Sequence, residues 1–438
     1  MNIAAYPKYE SYNDSGIDGF GEIPAHWQVQ RNFAIFRETK QPGATELPVL
    51  SVSIHSGVSR EQLPDEENVR SIIKIEDRTA YKRVAPNDIA YNMMRAWQGG
   101  IGRVHVDGMV SPAYVVAKPN EGVCASYIER QFRSPAYISS MDAASKGITD
   151  FRKRLYWEDF RDLGTVLPPL PEQRAIAAFL DGKCATIDEA VRIKEEQIRL
   201  LAERRQILIQ QAVTRGLTPD APMKDSGIDW IGQIPAHWSL AKLKFLTNKI
   251  VDGTHFTPEY LDEGIPFLRV TDLSQIKEGK IQWDGVRRIS ASAHKELSKR
   301  ASAEFGDVLL SKNGTIGLTK VIDWQDEFSF FVSLCLIKLR SELNSHYFEA
   351  FFNSPLVDQQ LFFGSFRTSV TNLHLERIKE LLIVVPPIKE QRELVEHIRE
   401  LSSPLDEAIT LKKSQITALR EYKTSLINAA VTGKIKVV

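Results

Sequence analysis

The stretch "PPLPEQRAIAAFLDGKCATIDEAVRIKEEQIRLLAERRQILIQQAVTRGL", Pro168–Leu217, returns later in the chain. Its second form is "PPIKEQRELVEHIRELSSPLDEAITLKKSQITALREYKTSLINAAVTGKI", Pro386–Ile435, aligned without a gap and with 18 of 50 positions identical. Each copy opens on tandem prolines and carries Glu172 or Glu390 in its first turn, where a carboxylate meets the positive end of a helix dipole. Each closes on Gly216 or Gly433, the residue type that follows a last helical turn. "DGK" (Asp181–Lys183) and "SSP" (Ser402–Pro404) interrupt the copies at nearly the same place. The spacing therefore predicts a short helix, a break, and a long helix over about 186–214 and again over about 404–432.

The long helices carry a seam. Ile187, Val191, Lys194, Ile198, Leu201, Arg205, Leu208 and Ala212 alternate by four and three, and Leu405, Ile409, Lys412, Ile416, Leu419, Lys423, Leu426 and Ala430 repeat the pattern. This is a coiled-coil period. The basic residues on the seam cost stability but fix register. Matched lengths and matched seam charges fit mutual pairing of the two helices better than two amphipathic helices each packed on its own domain, and an antiparallel pair would hold two globular domains a fixed distance apart. A helix of about 28 residues is roughly 42 Å long, or about a dozen base pairs of duplex DNA.

A second phrase is also written twice. "DSGIDGFGEIPAHW" (Asp14–Trp27) and "DSGIDWIGQIPAHW" (Asp225–Trp238) differ at three of fourteen positions. The chain is thus a tandem duplication, with each half opening on the phrase and closing on a helix. "IPAHW" offers a rigid proline and a large tryptophan for packing. His26 and His237 read as satisfied structural residues, because no ligand-spaced Cys, Asp or His accompanies either.

At 438 residues the chain exceeds one ordinary core. Its 43% hydrophobic and 26% charged residues are ordinary for soluble protein. A formal net charge of zero argues against non-specific coating of nucleic acid but leaves room for local basic patches. The N-terminus lacks a signal-peptide pattern, and the apolar run "LLIVVPPI" (Leu381–Ile388) is too short to span a bilayer. Cys124, Cys184 and Cys335 are scattered, forming neither a disulfide framework nor a zinc motif. A reducing, cytoplasmic compartment is expected. No phosphate-binding loop occurs. "SIIK" (Ser71–Lys74) lacks companion motifs, and "EGK" (Glu278–Lys280) reads as a turn. The chain is expected to have no catalytic residues, no metal site and no cofactor of its own.

Between phrase and helix, each half mixes strand-like and helical runs. "NDIAYNMM", "GRVHV" and "SPAYVVAK" precede helical "SYIERQF" in the first half. "GIPFLRV", "GDVLLSKNGTIGLTKVI" and "FFVSLCLIKL" precede helical "SHYFEAFFNSPLVDQQLFF" in the second. The fold class expected is mixed α/β (α+β): two similar globular domains joined by two long helices in an antiparallel coiled coil, with a pseudo-two-fold internal repeat. Domains are expected at 1–166 and 218–384, with helical regions at 167–217 and 385–438.

Taken in order, "SGIDWIGQIPAHW", "DGTHFTPEYLDEGIPFLRVTDL", "GDVLLSKNGTIG", "YNMMRAWQGGIG" with "SPAYVV", and the paired "PP…EQR" to "AVT" helices carry a resemblance. The chain resembles the specificity subunits of type I restriction–modification systems over almost its whole length. The resemblance implies two target-recognition domains, each reading one half of a bipartite site in double-stranded DNA. It implies a coiled coil that sets the spacer, and no catalysis by this chain. It further implies two methyltransferase subunits as partners, bringing S-adenosylmethionine to methylate adenines, together with motor–nuclease restriction subunits and no membrane. The outer faces of "EQRAIAAFL" and "EQRELVEHI" are then candidates for methyltransferase docking. The alternative is a coiled-coil assembly scaffold that never reads DNA.

Base reading needs side chains on base edges, chiefly Arg or Lys to guanine and Asn or Gln to adenine. In the first domain the candidates are Asn92, Arg95 and Gln98 of "NMMRAWQGG", with Trp97 as a packing residue, and Lys146, Arg152, Lys153 and Arg154 of "SKGITDFRKR". In the second they are Thr254 and His255 of "DGTH", then Lys312, Asn313 and Thr315 of "SKNGT", and finally Arg367, Thr368 and Asn372 of "GSFRTSVTN".

Overall fold

In the computed structural model, the described residues are 3–60, 77–147, 153–276, 280–362 and 372–437. The candidates Arg152, Arg367 and Thr368, the "SIIK" match and most of "EGK" lie outside them. The chain divides into two compact units, Met1–Glu195 with Lys413–Val438, and Glu196–Lys412.

Unit 1 is built on a four-stranded antiparallel sheet of β1 (Phe36–Glu38), β2 (Ile89–Asn92), β3 (Ile101–Arg103) and β4 (Tyr114–Pro119), in the order β1-β4-β2-β3. Ile89, Ala90 and Tyr91 are all fully buried, as a strand covered on both faces must be. Helix α1 (Ala125–Phe132) follows, and then α2 (Leu170–Arg215). Unit 2 repeats the plan with β5 (Thr247–Asp252), β6 (Val308–Ser311), β7 (Thr319–Val321) and β8 (Leu334–Leu339), ordered β5-β8-β6-β7 and again antiparallel. It continues with α3 (Ser345–Phe352) and α4 (Ile388–Val431). The halves diverge outside this shared frame. Unit 1 adds two small ribbons, 51–53 with 57–59 and 82–84 with 108–110. Unit 2 adds a three-stranded sheet that includes the parallel pairing of Phe267 with Ser329.

Both long helices are continuous, correcting the expectation of a break at "DGK" and "SSP". The reason is tertiary. An interior glycine costs about 1 kcal/mol and a proline about 3. Around Gly182, however, Leu180, Cys184 and Ile187 are buried, and before Pro404 so are Ile398 and Ser402. The packing of these neighbours outweighs the local preference. Pro404→Ala is therefore expected to raise stability by about 1–3 kcal/mol, read as a higher urea midpoint at unchanged m-value.

The seam is formed as its period predicts, and every seam position is buried or half-buried. In unit 1, Lys194 Nζ donates to Gln415 Oε1 at 2.7 Å, and Lys423 Nζ donates to Asp188 Oδ1 at 2.6 Å. In unit 2 the same pairs recur with the helices exchanged: Lys412 Nζ donates to Gln197 Oε1 at 2.7 Å, and Arg205 forms an ion pair with Asp406, its Nε 3.2 Å from Oδ1. Partner numbers fall on one helix as they rise on the other, so the pairing is antiparallel within each unit. A shift by one heptad would break all four contacts, which is how these residues set register.

The twice-written phrase clamps the helix ends. Its first part forms a hairpin, Tyr12–Asp14 with Glu22–Pro24 and Met223–Asp225 with Gln233–Pro235. In unit 1, Glu172 at the start of α2 accepts from Trp27 Nε1 at 3.2 Å and pairs with His26 Nε2 at 2.9 Å. Gly433, just past α4, lies against Trp27 and Pro24, where a Cβ would collide with the proline ring. In unit 2, Glu390 at the start of α4 accepts from Trp238 Nε1 at 2.9 Å and pairs with His237 at 2.8 Å, while Gly216, past α2, lies against Trp238. Each clamp thus grips the first turn of one helix and the last turn of the other. Both glycines have φ of +72°, which a Cβ-bearing residue adopts at a cost. The two histidines are satisfied by these carboxylates, yet their side chains are about half exposed.

The glutamine after each clamp glutamate is buried and ties the long helix to the residue that opens α1 or α3. Gln173 Oε1 accepts from Cys124 N at 2.8 Å, and its Nε2 donates to Pro168 O at 2.8 Å. Gln391 does the same to Asn344 N at 2.7 Å and Pro386 O at 2.8 Å. "PP…EQ" is therefore a structural device, which explains its identity in both copies.

Candidate nucleic-acid interface

In unit 1 the turn between β2 and β3 is held by its own backbone. Asn92, buried at the end of β2, accepts from Met94 N through Oδ1 at 3.0 Å, and Gly100 N donates to Arg95 O at 2.8 Å. This shapes a loop that leaves Arg95 exposed, with its Nη1 on Gln98 Oε1 at 2.7 Å. The second candidate segment lies beside it. Lys146 and Arg154 exchange backbone hydrogen bonds of 2.9 and 2.8 Å, and Leu155 N donates to Met93 O at 2.9 Å. Lys153 reaches over the Trp97 ring, 5.1 Å from its centroid, and pairs with Asp142 at 2.6 Å. Lys146 pairs with Asp159 at 2.5 Å, and this hydrogen bond raises its pKa above the ordinary lysine value. Trp97 is half-buried, its Nε1 donating to Met94 O at 3.0 Å. Two segments about fifty residues apart thus form one ridge.

Unit 2 builds the matching place at the end of β6. Leu373 N donates to Lys312 O at 2.8 Å, the counterpart of Leu155 on Met93, and Asn313 and Asn372 form an isolated bridge. Ser311 closes the "SKNGT" turn by donating to Thr315 O at 2.6 Å, leaving Thr315 exposed. The "DGTH" segment follows β5. A Cβ on Gly253 would collide with the Phe330 and Phe331 carbonyl oxygens, so glycine is required there. Thr254 is buried, its Oγ1 accepting from Phe256 N at 3.3 Å, whereas the His255 side chain is 59% exposed. Lys312 is only 5% exposed, with Nζ 2.8 Å from Asp252 Oδ1. Burial, and then Asp252, push the nearby Cys335 thiol well above its ordinary range.

The structure brings together Asn92, Arg95, Gln98, Lys146, Lys153 and Arg154 in unit 1. In unit 2 it brings together Thr254, His255, Lys312, Asn313, Thr315 and Asn372. The sequence reading placed Glu172 and Glu390 in the first helical turns but did not show their hold on Trp27 and Trp238, and it left Gln173 and Gln391 unremarked, although their recurrence beside the tandem prolines was the available signal. It also missed Asp252, which appears in the quoted "DGTH". Among the described residues, no group of three or more His, Cys, Asp or Glu side chains could hold a metal ion, and no helix is long and apolar enough to cross a membrane.

By fold, the chain has two similar α/β units, each with paired long-helix segments and a cluster of loops at the same end of its four-stranded sheet. Residues 248–419 match the family described as "Type I restriction modification DNA specificity domain". The chain is 24% identical over 311 residues to the type I restriction enzyme EcoBI specificity subunit of Escherichia coli, a match spanning 69% of this chain and 64% of that relative. The chain thus spans slightly less than two thirds of that relative's length. It is 23% identical to the MjaVIII specificity subunit of Methanocaldococcus jannaschii, over 98% of this chain and 97% of that one. A solved chain from work on complex assembly and conformational transition of the type I R-M system superposes with a TM-score of 0.68 at 18% identity, covering 93% of this chain and 98% of that chain. That likeness shows the shared fold. The resemblance to type I specificity subunits read from the sequence is borne out by these matches.

Proposed function

We propose that this chain is the non-catalytic sequence-specificity subunit of a type I restriction–modification complex. Each unit reads one half of a bipartite DNA target. The paired helices set the spacer, and the chain positions two methyltransferase subunits for adenine methylation. S-adenosylmethionine belongs to those partners, and restriction subunits join the same complex in the cytoplasm. The domains of this reading are 1–166, 167–217, 218–384 and 385–438. An adenine must leave the base stack to be methylated, so the task is to place two methyltransferase pockets beside the correct bases.

One observation carries this reading. In each unit, separate loop segments rich in amide, hydroxyl and basic groups converge at the same end of a four-stranded sheet, while the strand order of the sheet beneath them is the same in both. A scaffold serving only assembly would need the frame but not the divergent ridges. For the partners, Ile193 and Leu411 occupy equivalent positions off the seam and are 44% and 59% exposed. They offer the same apolar contact twice, alongside the "EQRAIAAFL" and "EQRELVEHI" faces.

Mapping methylated adenines genome-wide, with the gene present and deleted, is expected to reveal an asymmetric two-part motif that vanishes on deletion. Arg95→Ala is expected to relax one part only, at a cost of about 1–3 kcal/mol in discrimination. A methylation pattern indifferent to every ridge substitution returns the chain to the role of an assembly scaffold.

A further inference from the structure

Three loops of unit 2 meet at one buried ion pair. Asp252 ends β5 and leads into "DGTH", and Lys312 follows β6 and leads into "SKNGT". The two are 7% and 5% exposed, with Nζ and Oδ1 2.8 Å apart. The backbone of Lys312 extends the junction on both sides. Its N–H donates to Ser333 O at 2.9 Å, and its C=O accepts from Leu373 N at 2.8 Å, holding the segment that carries Asn372. The Asp252 Oδ2 lies 3.9 Å from the exposed His255 ring. In unit 1 the corresponding position after the second sheet strand is Met93, whose carbonyl accepts from Leu155 as that of Lys312 does from Leu373. The junction therefore forms without an ion pair, and the charge in unit 2 is not required by the frame.

Burying an ammonium is costly unless a carboxylate meets it, and a buried pair adds little net stability while, in some proteins, selecting one arrangement. A lysine this buried is also withdrawn from phosphate. We infer that Lys312, through Asp252, is a positioning residue for the second half-site: the pair locks the "DGTH", "SKNGT" and Asn372 segments into one reading surface without touching DNA. This rests on the proposed reading of DNA by unit 2.

The test uses the purified full chain, with fluorescence anisotropy on duplexes that carry single base changes in either half of the mapped target, across a salt series. Lys312→Met installs the side chain that unit 1 uses, and Asp252→Asn removes the other charge. Each is expected to lower discrimination in the second half about tenfold. Discrimination in the first half and the dependence of affinity on salt are expected to stay unchanged. Should a single variant unfold because a lone charge remains buried, the double variant Lys312→Met with Asp252→Asn leaves none, and the same loss is expected of it. Undiminished discrimination by a folded variant overturns the inference. So does a salt slope reduced by about one with discrimination retained, since that marks a phosphate contact. A wild-type chain that distinguishes no sequence overturns the reading beneath it, and the inference with it.

Discussion

Trp238→Ala will destabilise unit 2 by about 3–5 kcal/mol, the usual cost of removing a buried aromatic side chain. Trp238 is 1% exposed and belongs to the core formed by Ile209, Ala212, Val213 and Leu394 with the sheet and α3. Its loss opens a cavity at the point where α2 ends and α4 begins, and it strips Glu390 of the indole donor 2.9 Å away. Trp238→Phe keeps most of the volume and loses the hydrogen bond, so about 1–2 kcal/mol is expected. Hydrogen exchange read by mass spectrometry locates the effect: protection should fall within 223–412. Trp27→Ala should do the same within 12–195 and 413–435, because Trp27 is 5% exposed and holds Glu172 and Gly433 in the same way. A loss below about 1 kcal/mol in both variants would mean that the repeated phrase is not a clamp.

Adding one heptad to each long helix will lengthen the preferred gap between the two half-sites. Seven residues advance a helix by about 10.5 Å, roughly three base pairs of duplex. The insertions belong at facing points, after Arg199 in α2 and after Thr410 in α4. A heptad keeps the four–three alternation intact, so the seam and the four polar pairs should reform on either side. Methylation mapping of the variant would read the new gap directly. A gap that keeps its wild-type length would remove the helices as the spacer element, while leaving half-site reading by each unit untouched. Three base pairs also turn the duplex by about a third of its helical repeat. Weaker binding at the new optimum is therefore expected alongside the shift.

Much of the architecture was legible in the letters because it rests on periodicity and duplication. Apolar side chains alternating by four and three can be buried only by a partner helix, and a gapless second copy supplies one of equal length. The basic residues at 194, 205, 412 and 423 pointed to register, and their partners Gln415, Asp406, Gln197 and Asp188 lie in the same repeat. The strands after "NDI" and "GDV" were equally plain, since fully buried strands leave continuous apolar runs.

Tertiary structure decided the rest. Gly182 and Pro404 read as breaks because local preference disfavours a helix there, but the buried neighbours around Gly182 and before Pro404 outweigh penalties of about 1 and 3 kcal/mol. That "IPAHW" grips the start of one helix and the end of the other depends on chain closure, which no local pattern encodes. The pairing of Asp252 with Lys312, sixty residues apart, and of Met93 with Leu155 depends on how the folded chain brings separate segments to one end of each sheet. Periodicity fixes which face of an element is buried, whereas only the folded chain determines which distant loops that burial brings side by side.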